Sequence, residues 1–122
     1  MIPHEKFYSL LCMTLIEKIA ALSNHLKCQP RLKLKHNSTP EVWGNMGICF
    51  PVSGYIELSG PWPFREVEWL EINTVVTEII GRLVVPKQRN YLDQIVSLLR
   101  TEGVKHSIVD SVVRIPFDAL IS

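Results

Sequence analysis

The chain has 122 residues, 47% hydrophobic and 20% charged, with a formal net charge of +1. Length and composition fit a single globular domain over residues 1–122, and they exclude a disordered, collagen-like or coiled-coil chain. The near-neutral total excludes a wholly basic nucleic-acid coat and a wholly acidic mimic.

The amino-terminal run from Phe7 to Ile16 is apolar, but it is bounded by Glu5 and by Glu17-Lys18. It is far shorter than the roughly 18–20 residues that span a bilayer. It reads as the buried part of a first helix over about residues 4–27, because Phe7, Leu10, Leu11, Leu15, Ile16, Ile19, Leu22 and Leu26 recur at helical spacing. Pro3 suits its start and Pro30 stops it. With no export or membrane signal, the expected location is the cytoplasm. Cys12, Cys28 and Cys49 are odd in number and show no CxxC or Cys/His spacing, so reduced, buried thiols are expected rather than a disulfide framework or a zinc site.

Arg31 to His36 alternates strictly, with Arg31, Lys33 and Lys35 on one side and Leu32 and Leu34 on the other. That is a half-buried strand with a basic outer row. Residues 37–47 form a loop, and Ile48 to Leu58 holds one or two short strands. Ser59-Gly60-Pro61-Trp62-Pro63 reads as a rigid turn. Glu66 to Ile72 is strand-like, but its alternation slips: Val67 and Trp69 share one face, Leu70 and Ile72 the other. A bulge near Trp69-Leu70 reconciles them, or the strand is buried on both faces. Val75 to Val85 is rich in β-branched residues and is expected as one strand with a bend at Gly81. Tyr91, Leu92, Ile95, Leu98 and Leu99 make the apolar stripe of a second helix, capped by Asn90 and ended near Gly103. A hairpin around Asp110-Ser111 closes the chain. The expected class is α+β, with a long N-terminal helix, a largely antiparallel sheet of about five to six strands, and a second helix before a C-terminal hairpin.

The neutral total hides a gradient. Residues 1–40 carry six Lys/Arg against two Asp/Glu, residues 41–78 one against six, and residues 79–122 six against four. The acidic middle also contains Trp43, Trp62 and Trp69. Acid interleaved with aromatic residues suits a surface that binds a basic protein, with charge steering the encounter and aromatics anchoring it. The candidate partner-binding residues are therefore Glu57, Glu66, Glu68, Glu71 and Glu78, with Trp43 and Trp62 as anchors. Trp69 is either a further anchor or core. The competing reading is a solvated acidic face over a tryptophan-containing core.

An enzyme is not expected. His4, His25, His36 and His106 form no recognised motif with the cysteines. An acid–base pair of His36 and His106 beside Lys33 and Lys35 is the one catalytic arrangement worth testing against the fold. Glu66 and Glu68 at two-residue spacing read as ordinary surface carboxylates. The glycines are scattered, so no phosphate loop, cofactor or metal site is expected. The basic stripe Lys27, Arg31, Lys33, Lys35, His36 lacks aromatics on its own strand, which argues against direct nucleic-acid binding.

The run from Val67 to Asn73 is Val-Glu-Trp-Leu-Glu-Ile-Asn, and Val76-Thr77-Glu78 and Gly81-Arg82-Leu83-Val84 follow it. With Trp43-Gly44, Phe50-Pro51-Val52, Tyr55-Ile56-Glu57, Asp93 and Val113-Arg114-Ile115, this layout resembles a family of small bacterial proteins of unknown function over about residues 43–115. The chain is also similar to immunity proteins of contact-dependent growth-inhibition systems. That resemblance implies a non-enzymatic cytoplasmic protein that blocks the active site of a cognate toxin domain, a basic nuclease. The alternative is a small regulatory or scaffolding module that binds another protein. Neither role requires a membrane.

Overall fold

The computed structural model describes residues 14–46, 54–58, 60–79 and 81–121. Helix α1 runs Leu15–Leu26. It begins where Thr14 turns extended (φ −70°, ψ 163°) and its side chain accepts a hydrogen bond from the Glu17 backbone N–H, so one continuous helix over 4–27 does not form. The expected turns at residues 4–13 lie outside the described residues. The helix ends at Lys27, whose left-handed backbone (φ 63°) lets the next amide, Cys28 N–H, bond back to Ser23 O at 2.9 Å. The stop therefore precedes Pro30.

Among the described residues, eight strands follow, with two further helices. They are β1 (Gln29–Leu34), β2 (Tyr55–Glu57), β3 (Pro61–Pro63), β4 (Val67–Asn73), β5 (Val75–Glu78), β6 (Lys87–Asn90), helix α2 (Leu92–Thr101), β7 (Ser107–Val109), β8 (Val112–Pro116) and helix α3 (Phe117–Ile121). A single turn of 3-10 helix, Phe64–Glu66, leads into β4. The class is α+β, as the pattern of periods implies. The central sheet has the order β1-β4-β8-β7, antiparallel throughout. β2 with β3, and β5 with β6, form separate two-stranded ribbons.

The slip in β4 is a bulge. Lys33 pairs with Trp69 but Leu34 pairs with Val67, so Glu68 is the extra residue. Val67 therefore joins Leu70 and Ile72 on the inner face, while Trp69 and Glu71 stay on the outer one. The bulge lies one step before the expected Trp69-Leu70. Inner-face Leu32, Leu34, Leu70, Ile72, Val113 and Ile115 are buried with Ile19 and Ala20 of α1, Leu99 of α2 and Phe117 and Leu120 of α3. All three described helices thus cover one face of the sheet. Phe117 stacks tilted on Phe64, ring centres 5.2 Å apart.

Three segments differ from the sequence reading. Pro61-Trp62-Pro63 is a strand rather than a turn: Leu58 N–H bonds Gly60 O and Phe64 N–H bonds Gly54 O. Those bonds fall two residues either side of the Ile56–Trp62 pair, so both prolines sit where the ladder needs no N–H. The expected strand Val75–Val85 stops at Glu78, and its partner β6, Lys87-Gln88-Arg89-Asn90, is exposed along its whole length. Such a strand has no apolar period to reveal it, because backbone pairing and polar side-chain contacts, not apolar burial, hold it. Helix α3 was also unforeseen. It begins directly after Pro116 and places Phe117 and Leu120 on the core at helical spacing. By contrast, the hairpin at Asp110-Ser111 (φ 50° and 66°) has the two left-handed residues of a type I′ turn. The N-cap of α2 is Tyr91 rather than the expected Asn90 and makes no side-chain capping bond; the Asn90 side chain, one residue earlier, accepts from Leu92 N–H at 2.9 Å. The proposed strand segment 48–52 lies outside the described residues.

Candidate functional site

The outer face of the central sheet is built around one carboxylate. Glu71 stands in the middle of β4, opposite Arg31 of β1 on one side and Arg114 of β8 on the other. Arg31 Nε donates to Oε1 at 2.8 Å, with Nη2 at the same distance. Arg114 Nε donates to Oε2 at 3.0 Å, again with Nη2 at the same distance. Glu71 is 5% exposed, whereas the side chains of Arg31 and Arg114 remain 28% and 48% exposed.

Each guanidinium also lies over an indole. Arg31 sits 4.2 Å from the ring centre of Trp43, and Arg114 sits 4.3 Å from that of Trp69. Trp69 gets there by strand alternation, two residues before Glu71 on the same face. Trp43 gets there because the loop after β1 is pinned along that strand's free edge: Glu41 N–H bonds Leu32 O at 2.7 Å and Gly44 N–H bonds Pro30 O at 2.9 Å. The result is a row across the sheet: Trp43, Arg31, Glu71, Arg114, with Trp69 beneath Arg114. Beside it Lys33 bonds Glu68, the bulge residue. Two guanidinia around one carboxylate leave one positive charge over, and the Lys33–Glu68 pair is neutral.

The candidate residues from the sequence scatter over this fold. Glu71 is the centre of the cluster, and Glu68 and Trp43 stand beside it. Trp69 is nearly buried, but on the outer face and not in the core cluster. Glu78 is on the β5–β6 ribbon, 3.2 Å from Arg89, and its hydrogen bond and charge raise the Arg89 guanidinium above its ordinary value. Glu57 is exposed on β2, and Glu66 ends the 3-10 turn, its carbonyl accepting from Lys35 N–H. Trp62 packs half-buried against the core and its indole N–H donates to Leu58 O at 3.2 Å. The acidic block is therefore not one patch: Glu68, Glu71 and Glu78 each hold a cation. Arg114 was missed, although a lone Arg inside Val112-Val113-Arg114-Ile115 and a lone Glu inside Trp69-Leu70-Glu71-Ile72 are what a cross-strand ion pair requires.

His36 and His106 do not meet. His36 follows β1 and His106 precedes β7, the two edge strands, three strand spacings or roughly 14 Å apart. The His106 ring instead bonds Val104 O through Nδ1. No group of three metal-ligating side chains occurs among the described residues. A cleft of about 790 Å³ opens where the β5–β6 ribbon leaves the sheet, lined chiefly by Asn24, Lys27, Gln29, Asn45, Asn73 and Thr77. Asn24 there donates to Met46 O, and Asn73 accepts from Val75 N–H, so two of its amides brace the fold. No described helix is long and apolar enough to cross a membrane.

A family model matches residues 17–116, from the first turn of α1 to the end of β8. The chain belongs to DUF6678, a family of unknown function. The match takes in every residue of the outer-face cluster, and with it the bulge that orients β4. No curated protein and no solved structure matches the chain.

Proposed function

We propose that this protein acts without catalysis, by docking a partner protein on the outer face of its central sheet. The observation that carries the reading is the Trp43–Arg31–Glu71–Arg114–Trp69 cluster. Arginine and tryptophan dominate the binding energy of protein interfaces. Here both arginines are held on a rigid ladder by a buried carboxylate, so little side-chain freedom remains to be lost on binding. No described helix packs on this face; the three helices bury the other one.

The resemblance to immunity proteins supports a toxin domain, a nuclease, as the partner, met in the cytoplasm of the producing cell. Immunity by stoichiometric occlusion needs a pre-organised surface and nothing more, which suits a face of this kind. Glu57 and Glu66 have no ion-pair partner among the described residues.

The test is co-expression with the neighbouring reading frame of the source bacterium, followed by pull-down and a growth assay. A one-to-one complex and rescue of growth are expected. Complex and rescue should both be lost with Trp43→Ala combined with Arg114→Ala. A complex that forms undiminished with that double variant overturns the docking face. Capture of a complex without any growth effect overturns immunity and favours a scaffolding role.

A further inference from the structure

We infer that the segment docking on this face is acidic and presents carboxylates to the free ends of Arg31 and Arg114. The inference rests on the docking reading above and adds the chemistry of the partner. Glu71 engages only the Nε and Nη2 side of each guanidinium. Neither Nη1 has an acceptor among the described residues. An arginine carries five N–H donors in a planar fork, so each one keeps an outward edge suited to a second carboxylate.

The charge count points the same way. The Arg31–Glu71–Arg114 triad is +1, one cation more than charge balance for Glu71 requires. The second cation stays close to the first only because the carboxylate lies between them. An incoming anion completes the alternation of charge, whereas a basic partner meets two guanidinia before it reaches the buried Glu71. The two arginines stand on strands flanking β4, roughly 10 Å apart at the backbone, and lean toward each other. One extended or helical stretch carrying two carboxylates reaches both.

RNA is the other polyanion to weigh. Single-strand readers stack bases on open aromatic faces. On this sheet Trp69 is 8% exposed, and both indoles already carry a guanidinium on one face. The donors remain free while the stacking platforms are occupied, which favours carboxylates over nucleobases. A nuclease that holds a divalent metal on carboxylates presents such groups at its active centre, so acidic contact and active-site occlusion are compatible.

The experiment is fluorescence anisotropy of the full chain at low ionic strength with three labelled probes: hexaglutamate, hexalysine and decauridylate. Hexaglutamate should bind most tightly. Arg114→Gln should weaken it at least tenfold, and Arg100→Gln, which removes an exposed charge from α2, less than twofold. Circular dichroism confirms that both variants are folded, and Arg114→Lys, which keeps the charge but loses the fork, should also weaken binding several-fold. Failure of hexaglutamate to bind, tighter binding of hexalysine, or equal sensitivity to Arg100 and Arg114 overturns the inference. Decauridylate binding that exceeds hexaglutamate and depends on Arg114 replaces it with nucleic-acid recognition. The pull-down keeps the two readings apart. If its complex depends on Trp43 and Arg114 while hexaglutamate fails, the docking face stands and only the acidic chemistry falls.

Discussion

Arg114 lies directly opposite Glu71 in the β4–β8 ladder, and the guanidinium that holds this carboxylate also covers the ring of Trp69, two residues back along β4. One side chain thus joins the electrostatics of the outer face to its aromatic packing. Arg31 repeats the arrangement on the other side with Trp43.

Removing the carboxylate should cost stability. Glu71→Gln leaves two partly exposed guanidinia facing each other, and we expect about 1–3 kcal/mol, below the cost of breaking a fully buried pair because both arginines retain access to water. Urea midpoints at constant slope measure it. The triple change Arg31→Met, Glu71→Leu, Arg114→Met should recover most of that loss by apolar packing, yet fail to capture the partner. A triple variant that stays as unstable as Glu71→Gln would mean that the cluster is structural rather than a docking device.

Phe117 should be among the costliest positions to truncate. It is 1% exposed and packs on Phe64 beneath β4. Phe117→Ala should destabilise by about 3–5 kcal/mol through lost burial and the cavity left behind. Thermal unfolding followed by circular dichroism tests this, and a loss under about 1 kcal/mol would mean that α3 does not contribute to the core as described.

Two glycines should respond differently to alanine. Gly103 closes α2 with φ 69°, a left-handed conformation, so Gly103→Ala should cost about 1 kcal/mol. Gly81 has no positive φ, and a Cβ there would meet only Val84 Cγ2 at an ordinary 3.8 Å. Gly81→Ala should leave stability within about 0.5 kcal/mol. Chemical denaturation of the pair, side by side, reads the difference.

Burial pushes the Cys28 thiol above its ordinary 9.0. The folded chain then keeps a proton that the unfolded chain releases, so this contribution to stability is present below about pH 9 and is lost as pH rises from there through the higher folded value. Relative to Cys28→Ala, the wild type should lose stability as pH rises above about 9, with no such divergence near neutrality. Native Cys28 should also resist iodoacetamide until denaturant is added, as peptide mass spectrometry of residue 28 would show.

The β5–β6 ribbon ends in exposed aliphatics: Ile79 at 81%, Leu83 at 99% and Val85 at 83%. Leu83→Ser should therefore change monomer stability by less than about 0.5 kcal/mol. A larger loss in a concentration-dependent melt would reveal that this tip is covered by another copy.

The α+β class, the basic alternation of β1, the apolar stripe of α2 with its Gly103 end, and the Asp110-Ser111 hairpin were all legible along the chain. Each is set by period or turn chemistry acting within about ten residues, and the slip in β4 announced a bulge for the same reason. What the chain did not disclose was partnership. Lys87-Gln88-Arg89-Asn90 looks like a loop until β5 lends it a ladder, and Pro61-Trp62-Pro63 looks like a turn until β2 pairs with it. The acidic middle third looked like one surface, yet its glutamates are spread over a ribbon, a second ribbon and both flanks of a bulge. Along the chain Glu71 reads as an exposed contact; only the antiparallel register of β1, β4 and β8 makes it the buried anchor of two arginines from positions 40 residues before and 43 after. Local sequence sets the period of a strand and therefore which residues share its face; the face of the neighbouring strand that it meets is decided by long-range pairing, and charge alone cannot foretell it.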